Sequence, residues 1–255
     1  MELITYLHTT HSTNLLAIEA GNRGAVHGTA FVSKDQTGGR GRLGRNWFSS
    51  LNKGLYCSIL VRPRIDLNHY PKLTLIVGVA VANALEKKIS LPVQLKWPND
   101  IYFRNKKCGG ILTESSIIQN EKIDRFAVIG LGLNVNLTQA EFPEDIQNRV
   151  TSLYIETGKE WDIQSVFMDI YKEILLNIQY FERDGFQEFI ERWREKDCTK
   201  DKNLQWLSVA GKIVIGKSVG VDADGKLYIQ DATGVIHEIL SGDVQLAENT
   251  GDLND

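Results

Sequence analysis

The run Gly38-Gly39-Arg40-Gly41-Arg42-Leu43-Gly44-Arg45-Asn46-Trp47 decides how the rest of the chain is read. Residues 39–44 fit the G-x-G-x-x-G spacing of a dinucleotide-binding turn, but that turn needs a helix opening at its last glycine. Here Asn46-Trp47-Phe48-Ser49-Ser50 follows and then a strand, which excludes a Rossmann fold. The chain has no H-R-D or D-F-G for a kinase and no G-x-x-x-x-G-K-[ST] for a P-loop. What remains is chemically specific. Four glycines within seven positions free the backbone to wrap an anion with its N–H groups. Guanidiniums at 40, 42 and 45 offer permanent forked charge to phosphate or carboxylate, and Trp47 offers a flat face to a base. An exposed basic loop that binds RNA is the plainer alternative.

Outward from this run, residues 34–50 show no apolar period and read as a loop without internal structure. Such long loops are usually functional. Its composition predicts mobility until anions give the arginines partners. Before it lie a short strand at 3–7, a helix over 14–20 capped by Ser12 or Thr13 and closed by Gly21, and a strand at 30–33. After it come a strand at 55–61 and an apolar helix from Pro71 to about residue 88. Strands at 93–96 and 101–103 flank Trp97-Pro98-Asn99-Asp100, and strands at 110–118 and 126–135 flank a hairpin turn at 119–122. Apolar residues at 163, 166, 167, 170, 174, 178 and 181 predict an amphipathic helix over 161–181. Charge clusters at 191–202, which reads as a boundary. Short β segments with turns at 222–225 and 231–234 follow. The expectation is an α+β fold: a mixed-sheet domain with helices packed on it at 1–200, then a small SH3-like β-barrel at 203–248.

The chain has 255 residues, 42% hydrophobic and 24% charged, and carries a net charge of −3, which argues against a surface that binds nucleic acid throughout. The apolar run at 75–82 is far short of the roughly 20 residues that cross a bilayer. The first eight residues lack the basic and apolar regions of a signal peptide. Cys57, Cys108 and Cys198 form no C-x-x-C pair or zinc set, and reduced thiols in a cytoplasmic protein are expected. The five histidines show no metal-ligand spacing, and no Ser/His/Asp or Cys/His arrangement is visible. Covalent catalysis by this chain is therefore not expected.

Other segments carry chemistry of their own. Asn99 suits an amide or adenine edge and Asp100 a Mg2+ ion, although Asn-Asp after proline is equally ordinary turn chemistry. Lys106-Lys107-Cys108-Gly109-Gly110 sets lysines beside glycines at the start of a strand. In Gly130-Leu131-Gly132-Leu133-Asn134, glycines interrupt a strand where a ligand or another backbone approaches closely, or mark a bulge. His11-Ser12-Thr13-Asn14 gathers small polar groups at a helix start, where a plain N-cap is the simplest reading.

Taken together these segments resemble the biotin–protein ligases. The resemblance lies in S-T-N at 12–14, Gln36, G-R-G-R-x-G-R-x-W at 39–47, K-W-P-N-D at 96–100, the 107–110 segment and G-x-G-x-N at 130–134. It covers nearly the whole chain. It implies an enzyme that activates biotin with ATP and Mg2+ as biotinyl-5′-AMP and transfers it to a lysine of a biotin carboxyl carrier protein. It further implies that Ser12, Thr13, Asn14, Gln36, Gly39, Gly110 and Gly130 contact biotin. Arg40, Arg42 and Lys107 would be the catalytic cations on its carboxylate and on the α-phosphate. Arg45, Trp47, Asn99 and Asn134, with Arg42 and Lys107, would bind ATP, and Asp100 the metal. Leu43 is a neutral departure within the loop.

Bifunctional members carry an N-terminal DNA-binding domain. Only 11 residues precede S-T-N here, so a monofunctional enzyme without DNA or membrane partners is expected. Homodimer assembly is left open. A lipoate–protein ligase shares the expected chemistry but should lack the arginine–glycine string. A nucleotide-responsive DNA-binding regulator is disfavoured by the charge and by the short N-terminal segment.

Overall fold

The computed structural model describes residues 3–119, 123–207, 211, 213–239 and 243–247. In chain order these form β1 (Ile4–Leu7), α1 (Thr13–Asn22), β2 (Ala30–Ser33), β3 (Gly54–Val61), α2 (Leu73–Ile89), β4 (Gln94–Lys96) and β5 (Asp100–Phe103). Next come β6 (Lys106–Gln119), β7 (Ile123–Asn134), α3 (Leu153–Thr157), α4 (Ile163–Asp184) and α5 (Gln187–Lys196). The chain closes with β8 (Asn203–Leu207), β9 (Ile213–Val221), β10 (Leu227–Asp231), β11 (Ile236–Ile239) and β12 (Asp243–Leu246). Among the described residues no helix is long and apolar enough to cross a membrane.

Seven strands make one sheet in the order β1-β2-β3-β7-β6-β5-β4, mixed because β1 and β2 run parallel while the other pairs are antiparallel. β3 is buried at every position, because helices cover both faces of the sheet. One face carries α1 over a small cluster of Ala17, Leu60, Phe126 and Val128. The other carries α2, α4 and α5 over the main core. The buried positions of α4 (Val166, Phe167, Ile170, Ile174, Ile178 and Phe181) follow the helical spacing, and Asp162 caps the helix through the backbone N–H groups of Gln164 and Ser165.

The second sheet is antiparallel, in the order β11-β10-β9-β8-β12. Its 222–225 turn reaches back to the first: Trp97 Nε1 donates to Gly225 O at 3.0 Å, and Lys72 Nζ lies 2.9 Å from Asp224 Oδ1.

Three expectations need correcting. The charged segment at 191–202 is not simply a boundary, since it contains the end of α5. Phe189, Ile190 and Trp193 of that helix are buried, Glu188, Glu191, Arg192 and Glu195 are exposed, and the partly buried Arg194 and Lys196 bond to Val221 O and Glu86. Pro71 sits in a 3-10 turn ahead of α2 rather than in the helix itself. The 34–50 segment is not structureless. Trp47 N donates to Gly39 O at 2.9 Å and Gly41 N to Arg45 O at 2.7 Å, so 39–47 is a small hairpin. The hairpin turns at Leu43 (φ 56°) and Gly44 (φ 75°), where glycine is at ease and leucine is strained. The predicted turn at 119–122 joins β6 and β7, whose register runs to Gln119 opposite Ile123, but residues 120–122 lie outside the described residues.

All three cysteines are free and buried. Burial pushes the Cys57 thiol up to about 12 and Cys198 to about 11, and raises Cys108 further. The thiolate is the reactive form, so iodoacetamide at pH 8 should leave the folded protein unlabelled by intact mass, and denaturant should expose three sites. Rapid alkylation of the native protein would contradict this burial.

Candidate functional site

The register of three strands builds the floor. Ser58 on β3 stands opposite Gly130 on β7, which stands opposite Leu112 on β6, and Tyr56, Gly132 and Gly110 align in the same way two residues along. Strand side chains alternate, so these six share the face that carries α1, and the apolar residues beside them turn to the main core. Two of the glycines are dictated by what lies on them. A Cβ on Gly130 would sit 2.1 Å from Asn14 Oδ1, and one on Gly132 would sit 2.4 Å from the Trp47 ring. The interrupted strand therefore marks a close approach, and the groups that approach are the chain's own Asn14 and Trp47.

Ser12, Thr13 and Asn14 open α1 against this floor. Ser12 stands at the N-cap with extended backbone, but its side chain makes no cap hydrogen bond, so the plain-cap reading fails. Thr13 donates to Gln36 Oε1 through both its N–H (2.9 Å) and its hydroxyl (3.1 Å). Ser58 Oγ lies 2.7 Å from Thr13 Oγ1 and 2.5 Å from Asn14 Oδ1, and its one proton serves one of them. Both amide hydrogens of Asn14 are engaged, one by Leu112 O at 3.3 Å and one by Glu114 Oε2 at 2.8 Å. Of the three, Asn14 is thus framework, with one Oδ1 lone pair remaining. Gln36 N donates to Ser49 Oγ at 2.9 Å, and Ser50 N donates to the Tyr56 hydroxyl at 2.8 Å, so both ends of the hairpin segment are anchored.

The hairpin lies across the floor. Arg40 Nη2 is 3.1 Å from Glu114 Oε1, and Arg42 Nη1 donates to Asn99 Oδ1 at 3.4 Å. Trp47 covers Gly132 and approaches Gly110, and its buried Nε1–H has no hydrogen-bond partner among the described residues. Lys107 Nζ lies 5.6 Å from the Trp47 ring centre and 2.7 Å from Asp100 Oδ1. That contact is ionic rather than an aligned hydrogen bond. Asn99 Nδ2 donates to Ile111 O at 2.8 Å, and Asn134, on the floor's face two residues past Gly132, donates to Thr151 O at 2.9 Å. Arg45 is exposed beside the hairpin turn. Beside the hairpin opens a cleft of about 730 Å3, whose charged lining is Arg40, Arg42, Lys72, Glu114, Asp224 and Lys226.

The structure therefore brings together Thr13 with Gln36, Arg42 with Asn99, and Lys107 with Asp100 and Trp47. Sequence reasoning missed Ser58 and Glu114. The signal for Ser58 was a polar side chain inside an otherwise apolar strand, whereas Glu114 lies in the polar run Thr113-Glu114-Ser115-Ser116 and had no such mark. Among the described residues no three His, Cys, Asp or Glu side chains gather as metal ligands.

Residues 8–134 match the biotin/lipoate A/B protein ligase family, and residues 207–247 match the biotin protein ligase C-terminal domain. The chain is 32% identical over 243 residues to the bifunctional ligase/repressor BirA of Bacillus spizizenii, covering 95% of this chain and 74% of that protein. It is 29% identical over 240 residues to the biotin–[acetyl-CoA-carboxylase] ligase of Mycobacterium tuberculosis, covering 92% and 85%. Its fold superposes on the biotin protein ligase of Aquifex aeolicus, solved in complex with biotin and ATP, with a TM-score of 0.82 and 36% identity over 97% of this chain and 99% of that one. The chain belongs to the biotin/lipoate A/B protein ligase family and is an enzyme of it.

Proposed function

We propose that this ligase activates biotin with ATP as biotinyl-5′-AMP and transfers the biotinyl group to a lysine of a biotin carboxyl carrier protein. The observation that carries the reading is the arginine hairpin lying over a glycine floor, with Lys107 beside it. A carboxylate and a triphosphate repel each other, and Arg40, Arg42 and Lys107 supply the charge that lets them meet. A carboxylate oxygen of biotin attacks the α-phosphorus, the bond to the bridging oxygen breaks, and pyrophosphate leaves. The carrier amine then attacks the anhydride carbonyl, forming the amide and releasing AMP and a proton. In this reading the nucleophile belongs to the partner, so the site needs no Ser, Cys or His nucleophile of its own. The cleft beside the hairpin gives a lysine side chain its route in.

In this reading Ser12, Thr13 and Gln36 face the ureido ring, and Gly39, Gly110 and Gly130 line its pocket. Arg45, Trp47, Asn99 and Asn134 serve the nucleotide. The partnerless Trp47 Nε1–H supports a polar ligand there, since buried donors are rarely left unpaired. Among the described residues Asp100 is the one carboxylate paired with Lys107, which fits Mg2+ carried in on the phosphates better than a resident metal site. Bound there, the ion would neutralise phosphate charge. We assign residues 1–200 to the catalytic domain and 203–248 to the C-terminal one. The C-terminal match and the named relatives favour biotin over lipoate.

The deciding experiment incubates the protein with ATP, Mg2+, a carrier domain and labelled biotin or labelled lipoate. Label from biotin alone, dependent on ATP, is expected. Transfer of lipoate, or none of either, would refute the reading.

A further inference from the structure

We propose that Glu114 is a positioning residue that fixes the Arg40 guanidinium over the glycine floor by tying the hairpin to the head of α1. The inference rests on the ligase reading and adds to it a residue outside the motifs. Glu114 stands on β6 opposite Val128 of β7, on the face that carries α1 and four residues past Gly110. Its two oxygens have different partners: Oε2 accepts from Asn14 Nδ2 at 2.8 Å, and Oε1 faces Arg40 Nη2 at 3.1 Å.

Those partners are not equally held. Asn14 is 5% exposed, and its amide is fixed from two further sides, by Leu112 O and by the fully buried Ser58 hydroxyl. The Arg40 side chain is 44% exposed and sits on a nine-residue hairpin with three glycines and three arginines. Glu114 is thus anchored to the core on one side and holds the movable group on the other. An ion pair this exposed contributes little to folding. Its effect is on where the guanidinium points. Arginine carries five N–H donors in a rigid fork, so one spent on Glu114 leaves the others directed at a bound carboxylate. A cation already in place spares the ligand the entropy of ordering it.

Glu114→Gln keeps an acceptor for Asn14 but removes the charge that holds Arg40, whereas Glu114→Ala removes both. The first readout needs no substrate. Trypsin should cut the hairpin of Glu114→Gln at Arg40, Arg42 or Arg45 several-fold faster than wild type, with the melting temperature within about 2 °C. In adenylate formation the KM for biotin should rise about tenfold, with a smaller change in kcat. In an Arg40→Ala background Glu114→Gln should add nothing, because its target is gone.

Unchanged digestion and KM in Glu114→Gln would overturn the proposal. So would an effect seen in Glu114→Ala alone, which would mean that Glu114 acts through Asn14, and so would an additive effect in the Arg40→Ala background. A wild-type protein that forms no adenylate would sink the ligase reading instead, and the digestion comparison would still report on the Glu114–Arg40 tie.

Discussion

Lys107→Ala is expected to slow adenylate formation about a hundredfold or more, close to 3 kcal/mol of transition-state stabilisation, while the protein stays folded. Two consequences add. The substitution takes a cation away from the place where carboxylate and phosphate meet. It also uncovers Asp100, whose Oδ1 lies 2.7 Å from the ammonium, and leaves a bare carboxylate facing the incoming anions. The fold should survive because the backbone of Lys107 is held independently: it pairs with Tyr102, and its carbonyl accepts from Thr151 N at 2.8 Å. Lys106→Ala is the control, one position earlier on β6, and should matter much less. Asp100→Asn in the Lys107→Ala background separates the two effects, recovering the part due to the uncovered charge and not the part due to the lost cation. Single-turnover formation of the adenylate measures each variant. Equal losses at 106 and 107 would show that the wrong lysine has been assigned.

The lysine pair also shows how far the sequence carries the reading. Lys107 was selected by a motif, and nothing in the run Lys106-Lys107-Cys108 states that Asp100 lies against it. That pairing depends on a register shift between Ile101 and Tyr102, which is set by the whole sheet. The core was legible for the opposite reason. The apolar period of α4 and the run of β3, apolar but for Ser58, are local patterns with one structural meaning each. The hairpin was misread because its bonds run between backbone groups of Gly39, Gly41, Arg45 and Trp47, which composition does not encode. Ser58 was overlooked because it is a single polar residue in an apolar strand, and Glu114 because it stands in the polar run Thr113-Glu114-Ser115-Ser116, where nothing singles it out. Their importance appears only when β3, β7 and β6 bring them under α1. In α5 charged residues outnumber apolar ones, and the apolar spacing at 186, 189, 190 and 193 is easily lost among them.

Gly132→Ala tests the site's floor and should be strongly damaging for so conservative a change. Gly132 is paired on both sides, with Tyr56 of β3 and with Gly110 of β6, so its Cα cannot retreat. An added methyl would meet the Trp47 ring at 2.4 Å, well inside contact distance, and a ring in the middle of a chain gives way only by lifting. Trp47 N is bonded to Gly39 O, so lifting the ring lifts the hairpin and carries Arg40 and Arg42 off the floor. Overpacking of this kind costs about 1–3 kcal/mol of stability, which a denaturant melt will register. The loss of adenylate formation should be larger, about a hundredfold or more, because three positioned groups move together. Gly44→Ala supplies the contrast. Gly44 lies at the tip of the same hairpin with φ 75° and nothing within 4 Å of an added Cβ. Alanine there strains one residue by about 1 kcal/mol and leaves Trp47 where it is, so turnover should fall little. Trp47→Ala in the Gly132→Ala background should recover the lost stability by removing the clash, yet not the activity, since the indole is then missing. Wild-type turnover in Gly132→Ala would mean that the ring does not lie on β7 when the enzyme works, and the hairpin would have to act from another position.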